Sequence, residues 1–271
     1  MTKLFITSKL IYLEMPKTAC SHIALLLKRF VGGEKIGKHN WLTNYNTEKL
    51  IIGSIRNPWN WYLSLWAFGC EKKGGLYIRL TKRNFALILK DILKLRFANA
   101  WAEITKPIKL WQSYYETYED AELFRSWLKL LFERKRMPDL REGYSNSSLS
   151  DFAGFMTYRY SKLHMKNFYK RQNSSKIKNY NELIEYDELN NLLDGVIYIE
   201  NLEEDFIKNV TKAGHSLDKE IEAKILSKTE KKRNVSKHHE ASYYYDKETM
   251  NLITEKENFI IEKYDYVFPT K

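Results

Sequence analysis

Pro16-Lys17-Thr18-Ala19-Cys20-Ser21 follows a short apolar run and precedes an amphipathic one. A strand that turns into a helix N-terminus offers an anion site, because several backbone N–H groups converge there and the helix dipole adds to them. Lys17 supplies a mobile positive charge, and Thr18 and Ser21 supply hydroxyl donors, all suited to gripping a phosphate. A second segment, Ile55-Arg56-Asn57-Pro58-Trp59-Asn60-Trp61-Tyr62-Leu63-Ser64, places an arginine at the end of an apolar run and a serine two helical turns further on. Arginine binds phosphate in bidentate fashion, and ligands of open α/β sheets gather at the carboxyl ends of the strands. Each segment also has an ordinary reading: a strand–turn–helix with a solvated lysine, an ion-paired Arg56, and Ser64 as a helix-face filler. The pattern GxxxxGK[ST] is absent, which disfavours an ordinary ATP- or GTP-binding loop.

The elements that must hold these residues follow from periodicity. Lys9 to Met15 reads as a buried strand ended by Pro16, and apolar residues at 23, 26, 27 and 30 have the spacing of an amphipathic helix stopped by Gly32-Gly33. Leu50–Ile55 reads as a second buried strand, with Pro58 at the start of an aromatic helix over 58–70. From about 84 to 135 the chain reads as a helical layer, with Phe85, Ile88, Leu89 and Ile92 on one face and Leu123, Trp127, Leu130 and Leu131 on another. Residues 137–150, rich in turn formers, read as an exposed loop. A third strand over 196–199 precedes a helix from Leu202 to about Ala213, and a tyrosine-rich helix starts near Tyr243. Strand–helix alternation predicts a parallel sheet flanked by helices.

With 271 residues, 44% of them hydrophobic, and no Gly/Ser-rich or Pro-rich stretch, the chain reads as one globular domain with a helical insertion at about 84–190. A net charge of +11 favours anionic partners, although it also suits a solvated basic face, and no run is dense enough for a nucleic-acid arm. Two cysteines, Cys20 and Cys70, make neither a disulfide framework nor a metal motif, which suits a reducing compartment. Without an apolar leader or an apolar stretch of ~18 residues, the expectation is a cytoplasmic protein with no membrane span. His238-His239 has no evident third ligand, so no metal is expected.

The two chemical segments together resemble those of PAPS-dependent sulfotransferases, where PAPS is 3′-phosphoadenosine 5′-phosphosulfate. Pro16 to Ser21 matches the family's Pro-Lys-Thr-x-[Ser/Thr]-[Ser/Thr] phosphosulfate loop, and Arg56 to Ser64 matches its Arg-[Asp/Asn]-Pro-x-x-Arg-x-x-Ser segment with Trp61 in place of the second arginine. The likeness is closer to the carbohydrate-type branch, including heparan sulfate 2-O-sulfotransferases, and covers about residues 9–70 and 195–266. It implies a P-loop-NTPase-like three-layer α/β fold with a central parallel sheet. It also implies that Pro16, Lys17, Thr18, Ala19, Cys20 and Ser21 hold the 5′-phosphosulfate, that Arg56 and Ser64 hold the 3′-phosphate, and that His39 takes the acceptor proton. On the same resemblance, Lys17 is expected to stabilise the leaving bridging oxygen, and Lys231, Arg233, Asn234 and Ser236 are candidate contacts of a lid over the nucleotide. Ala19 and Cys20 stand where many members carry Gly, Ser or Thr. A helix N-terminus and Lys17 are expected to lower the Cys20 pKa, though sulfuryl transfer needs no thiol intermediate.

The implied reaction moves a sulfuryl group from PAPS to a hydroxyl or amine of an acceptor, a glycan or a small hydroxylated metabolite, and yields adenosine 3′,5′-bisphosphate (PAP), with no metal and no nucleic acid. Trp41, Trp59, Trp61, Tyr62 and Trp66 suit either sugar stacking or a core. Two other classes stand beside this reading: a P-loop-like small-molecule kinase, and a non-catalytic nucleotide- or nucleic-acid-binding protein.

Overall fold

The computed structural model describes residues 3–36, 42, 45, 47–227 and 236–270. The expectations for His39, Trp41, Lys231, Arg233 and Asn234 lie outside the described residues. In chain order the elements begin with β1 (Lys3–Ile6), β2 (Leu10–Glu14), α1 (Cys20–Leu26, continuing as a π-helix over Leu27–Val31), β3 (Glu34–Ile36) and β4 (Leu50–Ile55). Helices α2 (Pro58–Cys70), α3 (Gly75–Thr81), α4 (Phe85–Leu93), α5 (Phe97–Thr105), α6 (Ile108–Ser113), α7 (Ala121–Phe132), α8 (Met137–Leu140) and α9 (Leu149–Phe152) follow. Then come α10 (Phe155–His164), α11 (Arg171–Ser174), α12 (Tyr180–Asn190), β5 (Gly195–Tyr198), α13 (Leu202–Lys212) and α14 (Lys219–Leu226). The chain closes with α15 (Ala241–Tyr244), α16 (Lys247–Lys256) and α17 (Asn258–Lys263). No described helix is long and apolar enough to cross a membrane.

The described residues divide into two compact units. One takes the chain up to Arg56, then 159–173 and 181–227; the other takes 57–158, 174–180 and 236–270.

The first unit is built on a five-stranded sheet of order β3-β1-β2-β4-β5. Strands β2, β4 and β5 are parallel, as expected, but β1 runs antiparallel to both β2 and β3, so the sheet is mixed rather than parallel. The reason is local: only Thr7, Ser8 and Lys9 separate β1 from β2, and so short a connection joins antiparallel strands only. The Thr7 hydroxyl shapes this turn by accepting the N–H groups of Lys9 (3.2 Å) and Leu10 (2.9 Å). Both faces of the sheet are covered. Tyr12, Ile52 and Ile197 pack with Ile23 and Leu27 of the first helix and Phe206 of α13, while Ile11, Leu13 and Ile51 face the other way with Leu193. Burial on both faces explains why β2 and β4 read as continuous apolar runs. Gly32 caps the end of the first helix and Gly33 follows it at φ 100°; a Cβ on Gly33 would lie 2.3 Å from the Ile6 carbonyl oxygen, so only glycine fits there.

The second unit is helical. Asn57 caps α2 by accepting the Asn60 N–H, with Pro58 at the first helical position. Trp59, Trp61, Tyr62 and Trp66 are all buried, which makes them core and removes them as sugar-stacking candidates. Trp66 lies edge-on to Phe124 of α7 and Tyr244 of α15 at 5.3 and 5.5 Å, and its Nε1–H donates to Tyr114 O at 2.7 Å. Residues 137–150 are not an exposed loop: they form short helical turns, and Leu140, Tyr144 and Leu149 are buried. Turn-forming residues there close tight turns over a core, and Tyr144 secures one by donating to Ala153 O at 2.8 Å.

Candidate functional site

Because β2 and β4 are parallel neighbours with Leu13 beside Gly53, their carboxyl ends finish at one edge of the sheet. The loop Met15–Ala19 leaves that edge from β2, and Arg56 leaves it from β4. The two meet: Arg56 Nη1 donates to Lys17 O at 3.5 Å. Strand β5 ends at the same edge, with Tyr198 beside Ile55.

The loop holds Lys17 at φ 68° and Ala19 at φ 50°, left-handed conformations that cost a non-glycine residue roughly 1–2 kcal/mol each. Ala19 is the N-cap of α1 and has no side-chain oxygen to cap it; its carbonyl accepts the N–H groups of His22 (2.8 Å) and Ile23 (3.1 Å), and no cap side chain takes those of Cys20 and Ser21. Alternating backbone hands of this kind, leading into a helix, turn successive N–H groups toward one point and form an anion-binding concavity. Pro16, Lys17, Ala19, Cys20, Ser21 and Arg56 are all partly exposed there.

Thr18 differs from the other loop residues because it is fully buried. Its hydroxyl donates to Met15 O at 2.8 Å and bonds Ser54 Oγ at 2.7 Å, and Ser54 Oγ bonds the Tyr12 hydroxyl at 2.7 Å. Each hydroxyl has one proton, so the Met15 carbonyl fixes the order: Tyr12 donates to Ser54, Ser54 to Thr18, and Thr18 to Met15. Thr18 therefore anchors the loop to β2 and β4 instead of presenting its hydroxyl to a ligand. Burial holds the Tyr12 phenol well above its ordinary pKa, which keeps it a neutral donor. Sequence reasoning did not single out Tyr12 and Ser54, although a hydroxyl in each of two otherwise apolar strands was the available signal.

Cys20 also departs from expectation. Burial, then the Glu14 carboxylate, raises its pKa; the nearby cation that opposes them is Lys35, not Lys17. Lys35 of β3 is paired with the buried Glu14 at 2.6 Å, at the end of β2. A thiolate at Cys20 is disfavoured.

On the second unit, Ser64 and Ser236 are both buried and their hydroxyl oxygens lie 3.4 Å apart. The acidic segment after β5 has a structural part: Asp205 accepts the Tyr198 N–H at 2.9 Å and so ties the end of β5 to α13. His239 pairs with Glu119 at 2.6 Å, and His238 bonds the His239 carbonyl. Among the described residues, no group of three or more His, Cys, Asp or Glu is arranged to hold a metal ion.

Comparison with protein-family models, with curated proteins and with solved structures found no match for this chain.

Proposed function

We propose that the chain is a sulfotransferase that moves a sulfuryl group from PAPS to a hydroxyl of a glycan or a small hydroxylated metabolite. One observation supports this most: a strained, helix-capping loop and an arginine sit together at the carboxyl edge of two parallel strands, with Arg56 donating to the Lys17 carbonyl. That arrangement suits an anionic donor such as one with a 5′-phosphosulfate and a 3′-phosphate. The backbone N–H groups of residues 17–21 and the Ser21 hydroxyl bind the 5′-phosphosulfate, and Arg56 binds the 3′-phosphate. Ser64 and Ser236 enter the proposal through their sequence positions.

His39 takes the acceptor proton as the acceptor oxygen attacks sulfur. The new S–O bond forms in line with the breaking bond to the bridging oxygen, whose electron pair leaves with PAP. Lys17 stabilises that charge, and losing such a donor costs roughly 10²–10³ in rate.

Thermal stability with PAP, PAPS, ADP or ATP–magnesium tests the reading, in the wild type and in Arg56→Ala. A ligand at ~100 times its dissociation constant adds ~2.7 kcal/mol of stability. The expected result is a shift with PAP but not ADP, diminished in Arg56→Ala, together with PAPS-dependent sulfation lost in Lys17→Ala. A shift with ATP–magnesium alone would replace the reading with a kinase.

A further inference from the structure

Helices α4 and α5 are amphipathic, and their apolar faces point outward. On α4, Phe85, Leu89, Ile92 and Leu93 fall within an arc of about 100° at 100° per residue. All four are exposed, Phe85 to 74% and Leu93 to 75%. On α5, Phe97, Trp101 and Ile104 form the same kind of stripe, and Trp101 is 67% exposed. Leu95, in the turn between the helices, is exposed as well.

What faces inward is acidic. Asp91 lies roughly opposite the stripe on α4, and Glu103 roughly opposite the stripe on α5; both are buried. Arg141 bridges them, with Nη1 2.9 Å from Asp91 and Nη2 3.0 Å from Glu103. Lys106, itself buried, meets Glu103 at 2.5 Å and also donates to the carbonyls of Arg79 and Lys82. This buried ionic cluster thus fixes the orientation of both helices, so the outward stripes belong to the folded state.

Within residues 78–110 the exposed charges share one sign. Asp91 and Glu103 are the only acidic residues between 78 and 110, and both are buried; Lys82, Lys90, Lys94, Arg96 and Lys109 are exposed. With side-chain areas of ~150–250 Å² for aromatics and somewhat less for Leu and Ile, the eight exposed apolar residues present roughly 900 Å². The largest apolar patch of an ordinary soluble monomer is about 300–600 Å².

We propose that the α4–α5 hairpin docks on an anionic lipid surface, with Phe85, Leu89, Phe97 and Trp101 entering the headgroup–acyl boundary and the flanking lysines and arginines meeting lipid phosphates and carboxylates. Apolar and aromatic residues ringed by cations are the composition of an interfacial helix. A helix of nine residues is about 14 Å long and too short to span a bilayer. The cationic rim also selects against a second copy of this chain, because a self-complementary contact would bring like charges together.

Vesicle flotation tests the proposal. Wild-type protein is expected to float with phosphatidylcholine vesicles carrying 30% phosphatidylserine and to remain unbound with phosphatidylcholine alone. Leu89→Gln with Trp101→Gln should abolish flotation while leaving circular dichroism and the melting temperature unchanged. Lys90→Gln with Lys94→Gln should weaken the vesicle association constant about 30-fold at low salt. Failure of the wild type to float with anionic vesicles would overturn the proposal. So would a dimer in sedimentation velocity that the Leu89→Gln, Trp101→Gln variant turns into monomer, since the stripe would then be a protein interface.

Discussion

Helices α4 and α7 carry apolar stripes of similar spacing and turn them in opposite directions. On α7, Phe124, Trp127, Leu128 and Leu131 are fully buried against α2 and α15, and the charged residues Glu122 and Lys129 face solvent. On α4 the stripe faces solvent and the acid is inside. Periodicity identifies a face but not its direction. The direction is decided by which face finds the better partners, and for α4 and α5 those partners are Arg141 and Lys106 rather than apolar side chains.

The sharpest way to break this comparison is a matched pair of truncations. Trp127→Ala should cost about 3–5 kcal/mol, because it removes a fully buried indole and leaves a cavity. Trp101→Ala, on the outward stripe, should change stability by no more than about 0.5 kcal/mol. Urea denaturation of both variants measures the difference; equal costs would mean that α5 is packed inward after all.

Arg141→Ala addresses the cause of the reversal. It strands the buried Asp91 carboxylate and leaves Glu103 to Lys106 and the Asn84 N–H, and removing one partner of such a cluster costs about 3 kcal/mol or more. If the inward acids hold the hairpin, limited proteolysis of this variant should cut first within 82–107 before the rest of the molecule yields.

The buried acids themselves differ in a way that pH can reveal. Burial works to raise the Glu103 carboxyl, but the Lys106 ammonium, the Asn84 N–H and the Arg141 guanidinium outweigh it and hold the group below its usual range. Glu257 meets only neutral donors: the Tyr62 hydroxyl, the N–H groups of Met156 (3.0 Å) and Thr157 (2.8 Å), and the Thr157 hydroxyl (2.6 Å). Burial dominates there and pushes its pKa up to about 7 from an ordinary 4.5. A carboxyl whose folded pKa exceeds its unfolded value binds its proton more tightly when folded. Its contribution is complete below pH 4.5 and is lost as pH rises through 7, about 3 kcal/mol in all. Stability followed from pH 5 to 8 should fall in the wild type and stay flatter in Glu257→Gln; a flat wild-type profile would mean that the four donors keep the carboxylate ionised.

The parts of the molecule legible in the sequence are those where local pattern and tertiary environment agree. Strands β2 and β4 were readable because strands buried on both faces are uniformly apolar, and the half-buried β5 because its run over 196–198 is apolar. Helices α1, α2 and α13 were readable because their apolar spacing is helical, with a stop for the first at Gly32 and a start for α2 at Pro58. Strands β1 and β3 were not, since four and three residues carry no measurable period. The proximity of Lys17 and Arg56 was foreseeable from two strand ends at one sheet edge. The inward turn of Thr18 was not, because it depends on Ser54, which is distant in sequence and adjacent only once β2 and β4 pair. Nor was the raised Cys20 pKa, which follows from burial and from Glu14 rather than from the helix terminus.

The position of β5 in the chain has a consequence for biosynthesis. Strand β4 hydrogen-bonds to β5, yet β5 is translated about 140 residues later. At 5–20 residues per second, the ribosome takes roughly 10–30 seconds to deliver it. For that interval β4 has an unpaired edge in a strongly apolar strand, an open template for another chain. The nascent protein is therefore most exposed to edge-to-edge pairing with another chain after its first strands have paired and before residue 198 emerges.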